Sequence, residues 1–218
     1  MNTVHRLWLA DVVYPEAHPR SGVGPVYAFA VTTGFGVVLV DTGLGPPHPL
    51  IDRLYRPTRY DLAAALESAG IVRSSVVAIV NSHLHFDHCG NNRSFPGIPV
   101  WVQAAERQAA RQPDYTIPEF VEDPGIQYRL VEGEAAVVPG VRLIPAPGHT
   151  PGHQCVAVEH NGDIELIAGQ AFETIDEFLA VQAADAILTK YPAVAPLVPR
   201  VTRMHVSHDH RTWERARD

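Results

Sequence analysis

Apolar runs, and the residues that interrupt them, divide this chain into short elements. VYAFAVTT (26–33) and GVVLVDTG (36–43) are apolar and separated by Gly34-Phe35, which predicts a hairpin. The second run is apolar on both faces until Asp41, as in a strand buried centrally in a sheet. GLGPPHPL (43–50) opposes regular structure and reads as a loop. DLAAALESAG (61–70) carries an apolar stripe at Leu62, Ala65, Leu66 and Ala69, with Asp61 as N-cap and Gly70 as C-cap, and predicts a helix. SVVAIVNS (75–82) and IPVWV (98–102) read as strands, QAAERQAARQ (103–112) as a helix. Further strands are predicted near 126–131, 141–145, 154–159 and 163–168, then a helix over roughly 174–187 and a last strand at 201–207. Strands come first and then mix with helices, which suits two sheets packed face to face with helices outside.

No linker or internal repeat divides the 218 residues, so a single domain over 1–218 is expected. The formal net charge of −7, without a cluster of Lys or Arg, gives no reason to expect nucleic acid or an anionic membrane as partner. MNTVHRLWLADVVYPEAHPR lacks the basic and apolar regions of a signal peptide, and no apolar run approaches a membrane span. Cys89 and Cys155 make no disulfide framework and read as small buried hydrophobes. The expectation is a soluble cytoplasmic protein acting on a small molecule; its oligomeric state is open.

Candidate chemistry enters with the twelve histidines, which cluster. In SHLHFDHCGNN (82–92), His83, His85, Asp87 and His88 follow directly on a buried strand. Alternate residues of an extended segment point the same way, so His83 and His85 can share one metal, while Asp87 and His88 turn toward a second position. PAPGHTPGHQC (145–155) holds His149 in a rigid loop between strands, as a third imidazole for the first metal. His153 starts the next strand, where a supporting role is favoured over ligation. In MHVSHDH (204–210), His208 lies just past a strand and is the best ligand candidate; His205 reads as packed and His210 as a surface residue. Phe86 and Phe172 read as core.

HLHFDH, then PGHTPGH about sixty residues later, then a strand ending SHD, resemble the metallo-β-lactamase superfamily, and within it the N-acyl-homoserine-lactone lactonases. The resemblance runs from about residue 26 to His208 and implies an αβ/βα four-layer sandwich. It also implies His83, His85 and His149 on one zinc, Asp87, His88 and His208 on another, and Asp41 as a support behind them. Iron or manganese would suit the same ligand types. The implied activity is attack of metal-bound hydroxide on the carbonyl of a lactone or ester, with Asp87 orienting the nucleophile and passing its proton to the leaving group.

The chain departs from that pattern in two places. IELIAGQAF puts Gln170 where the family has an Asp bridging the two metals, and Glu173 where the lactonases carry a Tyr near the substrate carbonyl. Two dications about 4 Å apart repel by roughly 17 kcal/mol at an effective dielectric of 20, and shared anions must offset this. Losing a bridging carboxylate should weaken the second ion, leaving either one metal or a loosened pair. Glu173 could reach into the site, but a helix-start position favoured by the dipole is the expected role. Two rival readings follow: a metal- or ligand-binding protein that lost catalysis through Gln170, and a thioesterase-type hydrolase. The latter is disfavoured because ten residues after His208 leave no room for a helical substrate domain.

Overall fold

The computed structural model describes residues 2–216. A seven-stranded sheet runs in the order β4-β1-β2-β3-β5-β6-β7, with β1 Thr3–Val13, β2 Val23–Thr33, β3 Gly36–Val40, β4 Thr58–Arg59, β5 Val76–Val80, β6 Pro99–Gln103 and β7 Gln127–Val131. A six-stranded sheet runs β13-β12-β11-β10-β9-β8, with β8 Ala135–Val138, β9 Val141–Pro145, β10 Gln154–His160, β11 Asp163–Ile167, β12 Val201–His205 and β13 Thr212–Glu214. Both sheets are mixed. The first is antiparallel across β1, β2 and β3 and parallel from β3 through β7; the second has its parallel pair at β11 and β12.

The helices are α1 Pro49–Tyr55, α2 Leu62–Ser68, α3 Phe86–Cys89, α4 Ala104–Ala109, α5 Pro118–Val121, α6 Ile175–Ala183 and α7 Ile187–Lys190. Val31, Val38, Val80, Leu143, Val156 and Ile167 interdigitate between the sheets. Leu66 of α2 packs on the outer face of the first sheet with Leu39 and Ile79, and Phe178 of α6 on that of the second with Leu166 and Met204. This is the expected four-layer sandwich. Among the described residues no helix is long and apolar enough to cross a membrane.

The predicted elements form, and the short β4, β8, β13, α3 and α5, along with β1 and α1, join them without having been predicted. β1 lacked a clean alternation because His5, Arg6 and Asp11 interrupt it, yet it pairs along β2 and covers the core with Leu7, Leu9, Ala10 and Val12. The Pro-rich loop ends early, because Pro49 stands in the first turn of α1, where its missing N–H costs nothing, and His48 accepts from Leu50 N at 3.3 Å. Gln103 belongs to β6, so the helix after it is shorter than 103–112. The late helix stops at Ala183 and resumes as α7. Asp61 caps α2 as expected, accepting from Ala64 N at 2.8 Å.

The parallel strands point their carboxyl ends to one edge, and there the two sheets are joined. Gln154 N donates to Ser82 O at 2.9 Å, and Tyr27 N to Ser207 O at 2.9 Å. Carboxyl ends of strands are where ligands gather in mixed α/β architectures.

Leu143, fully buried between the sheets, has no room to be replaced by water. Leu143→Ala is expected to lower unfolding free energy by about 2–5 kcal/mol, against less than about 0.5 kcal/mol for Val72→Ala on the surface, as read by urea titration. Equal effects would contradict the sheet-on-sheet core.

Candidate metal centre

His83 and His85 follow the end of β5, Asp87 and His88 stand in α3 just beyond, His149 lies in the loop between β9 and β10 and His208 in the turn after β12, and the chain brings them together in two sets. In each of them, His83 with His85 and His149, and Asp87 with His88 and His208, the donor atoms lie within 4.8 Å of one another. His83 Nε2 is 3.1 Å and His149 Nε2 is 3.2 Å from His85 Nδ1. Nε2 of His88 and Nε2 of His208 each lie 3.5 Å from Asp87 Oδ2.

The hydrogen bonds behind the rings decide which nitrogen faces inward. Ser82 N and Oγ donate to Asp41 at 2.7 Å each. With its proton so placed, Ser82 Oγ accepts from His83 Nδ1 at 3.0 Å, and His83 Nε2 keeps its lone pair toward His85. Nδ1 of His88 donates to Asp41 Oδ2 at 2.8 Å, and Nδ1 of His208 to the Pro25 carbonyl at 2.9 Å. Behind His149, Nδ1 lies 3.5 Å from Glu173 Oε1. These imidazoles therefore turn lone pairs toward the centre, the tautomers that ligation requires. His88 Nε2 and Gln170 Oε1 are buried with no hydrogen-bond partner. Orphaned buried acceptors beside an Asp and five imidazoles fit a divalent cation of borderline hardness.

Electrostatics follow from burial. Burial, then the neighbouring imidazoles, hold His83 well below the ordinary histidine range, and burial lowers His85 to about 4. Burial likewise lowers His153 to about 3. Burial works against the charge on Asp87, but His88 and His208 hold its carboxyl below the usual range. Burial also opposes protonation of His88, and Asp87 with Asp41 overcomes it and raises the ring. A proton and a cation thus compete for the same nitrogen.

The remaining candidates separate clearly. Asp41 stands behind the site in the left-handed region at φ 62, which lets its carboxylate turn back across the strand ends. His153 joins neither set; its Nε2 accepts from Gln170 N at 3.0 Å. Glu173 does more than stand at a helix start: its Oε1 accepts from Gln170 Nε2 at 3.0 Å and its Oε2 lies 3.7 Å from Arg20 Nη1. Phe172 is core, whereas Phe86, expected there too, lines the cavity over the site. His205 is packed in its strand against Glu165, at 2.7 Å. Exposed His210 accepts or donates at 2.9 Å with Tyr27 Oη. Both cysteines are buried, and burial pushes the Cys155 thiol up to about 12.

Glu106 had no sequence signal at all. Fully buried on α4, it accepts from Leu84 N at 2.8 Å, Thr150 Oγ1 at 2.7 Å, Gly152 N at 3.1 Å and Tyr115 Oη. It therefore ties the His83–His85 loop to the His149 loop. Gly152 is required there, since a Cβ would lie 2.2 Å from Glu106 N.

The centre forms the floor of a cavity of about 1140 Å³, bordered by His85, Asp87, His149, Gln170 and His208 and walled by Leu50, Ile51, Leu54, Tyr55, Phe86 and Ile117. A sandwich of two mixed sheets with paired His/Asp sets at its carboxyl edge is the architecture of one class of proteins. The chain belongs to the metallo-beta-lactamase superfamily, whose family model matches residues 21–218. It is 35% identical over 147 residues to an N-acyl homoserine lactonase of a Bacillus species, covering 62% of this chain and 58% of that protein. It is 33% identical over 174 residues to a probable metallo-hydrolase of Mycobacterium tuberculosis, covering 67% of this chain and 56% of that one. The chain thus spans less than two thirds of the length of these relatives. A solved N-acyl homoserine lactone hydrolase, with the product N-hexanoyl-L-homoserine at its catalytic metal centre, superposes with a TM-score of 0.76 at 25% identity, covering 95% of this chain and 93% of that one.

Two outcomes follow. Glu106→Ala leaves several buried donors without an acceptor, at about 1 kcal/mol or more each, and is expected to cost at least about 3 kcal/mol in urea unfolding; a loss under about 1 kcal/mol contradicts the clamp. In chelator, His83, His85 and His153 stay neutral in the fold below the free-imidazole value of 6.5 but protonate on unfolding. The unfolded chain then binds more protons, so the thermal midpoint should fall as pH drops from about 6.5 toward 4. A flat or rising midpoint across that window contradicts the assignment.

Proposed function

We propose that this chain is a zinc-dependent hydrolase that opens a lactone or cleaves a related ester carrying an apolar tail, with residues 1–218 acting as one domain. The observation that carries the reading is the convergence of both donor sets on the floor of one apolar-walled cavity. His83, His85 and His149 would hold one ion, and Asp87, His88 and His208 the other. When bound, such ions acidify a water and polarise a carbonyl. The names of the bacterial lactonase relatives and the product held by the structural neighbour support an N-acyl homoserine lactone as substrate class.

The chain's own residues supply the rest. The apolar wall formed by Leu50, Leu54, Tyr55 and Phe86 takes the tail and excludes water from it, which leaves the ring carbonyl over the donor sets. Asp87 borders the cavity as well as the second set, so its carboxylate is placed to take the proton of the attacking water and return it to the leaving oxygen. Asp41 and Glu106 hold the ligand loops still while this happens.

Hydrolysis of N-hexanoyl homoserine lactone, followed by acid release, is expected from the zinc-loaded protein. It should vanish on chelation, return with zinc, and fall at least about 100-fold in His85→Ala. Ligand-induced stabilisation without turnover would instead favour a binding protein, and turnover indifferent to chelator would contradict a metal mechanism.

A further inference from the structure

The sequence places an amide where a shared carboxylate is expected, and the structure shows that this amide is held in one orientation. Gln170 lies in the turn after β11, its backbone N–H fixed by His153 Nε2 at 3.0 Å. Its side-chain Nε2 donates to Glu173 Oε1 at 3.0 Å, so its Oε1 is the end left over, buried and without a protein partner. Gln170 borders the cavity floor with His85 and His149 of one set and Asp87 and His208 of the other. Glu173 is fixed in turn: Arg20 Nη1 lies 3.7 Å from its Oε2, and the same guanidinium donates from Nη2 to His208 O at 3.1 Å. The Glu173 carboxylate also stands 3.5 Å behind His149 Nδ1.

An amide has one end that ligates a cation and one that repels it, whereas a carboxylate has two equivalent oxygens. A Gln at this place serves a metal pair only if something selects the oxygen. We infer that Glu173 is the positioning residue that does so: by accepting from Gln170 Nε2 it presents Gln170 Oε1 to the centre as a neutral donor, and so retains a second ion without a bridging carboxylate. The inference rests on the two-set metal reading above. Glu173 acts on the second ion through Gln170, and Arg20 keeps it in place.

A double-mutant cycle with zinc alone as ligand tests this. The affinity of the second zinc is read by competition with a chelator, and occupancy by elemental analysis. Wild type is expected to take two zincs. Glu173→Leu should weaken the second about 10- to 100-fold, while Glu173→Gln, which still offers an acceptor, weakens it less. In a Gln170→Asp background orientation no longer matters, so Glu173→Leu should change second-zinc affinity less than about 3-fold, well short of that loss. Equal losses in both backgrounds would mark Glu173 as merely structural and overturn the inference, as would a wild type that takes one zinc or none. The cycle uses no substrate, so lactonase failure with the coupling intact overturns the proposed activity alone, and an active lactonase without the coupling overturns only this inference.

Discussion

The carboxylate of Asp41, turned back across the strand ends, is the constraint on which the centre depends. A buried charge is tolerated only when it is fully hydrogen-bonded. Asp41 meets that requirement with Ser82 N, Ser82 Oγ and His88 Nδ1. Those three bonds tie β3 to the segment after β5, fix His88 directly, and fix His83 through Ser82. Left-handed backbone at a non-glycine residue costs on the order of 1–3 kcal/mol and persists where its surroundings over-determine it. Here the strained residue stands directly behind both donor sets.

Glu106 repeats the device on the other side. One buried carboxylate holds the loop from the first sheet to the loop from the second, so the three histidines of one set are positioned by contacts that cross the sandwich. The centre is thus a product of the sheet–sheet junction, and neither sheet alone assembles it. The lone pairs turned inward by Ser82, Asp41, Pro25 and Glu173 are the local expression of that junction.

Much of this was legible in the residues. His83, His85, Asp87 and His88 fall within one short segment after an apolar strand, where local geometry alone predicts convergence. His149 and His208 were legible because each lies in a turn at a strand boundary. Glu106 was not, since its partners lie 9 to 46 residues away, those in the ligand loops 22 to 46, and nothing local distinguishes it from any helical glutamate. Glu173 was read as a helix-start residue because dipole reasoning sees only its own element; its partners Arg20 and His149 are tertiary. β1 and α1 were hidden by polar interruptions and by a proline, and packing overrode both signals. Gln170 was legible as a departure, but only its hydrogen bonds show which end of the amide is free.

Gln170 also bears on the charge a metal-loaded centre would carry. With two dications bound, a neutral donor in place of a carboxylate would leave their repulsion less offset, so the second ion would be the weaker partner and Asp87 would carry more of the compensation. The most direct test of the whole account is anomalous diffraction at the zinc edge from crystals grown with zinc. The account predicts two peaks, one about 2.0–2.2 Å from the ring nitrogens of His83, His85 and His149 and one at that distance from Asp87, His88 and His208, with Gln170 Oε1 turned toward the pair. A single peak, or a Gln170 amide nitrogen facing the ions, would contradict it.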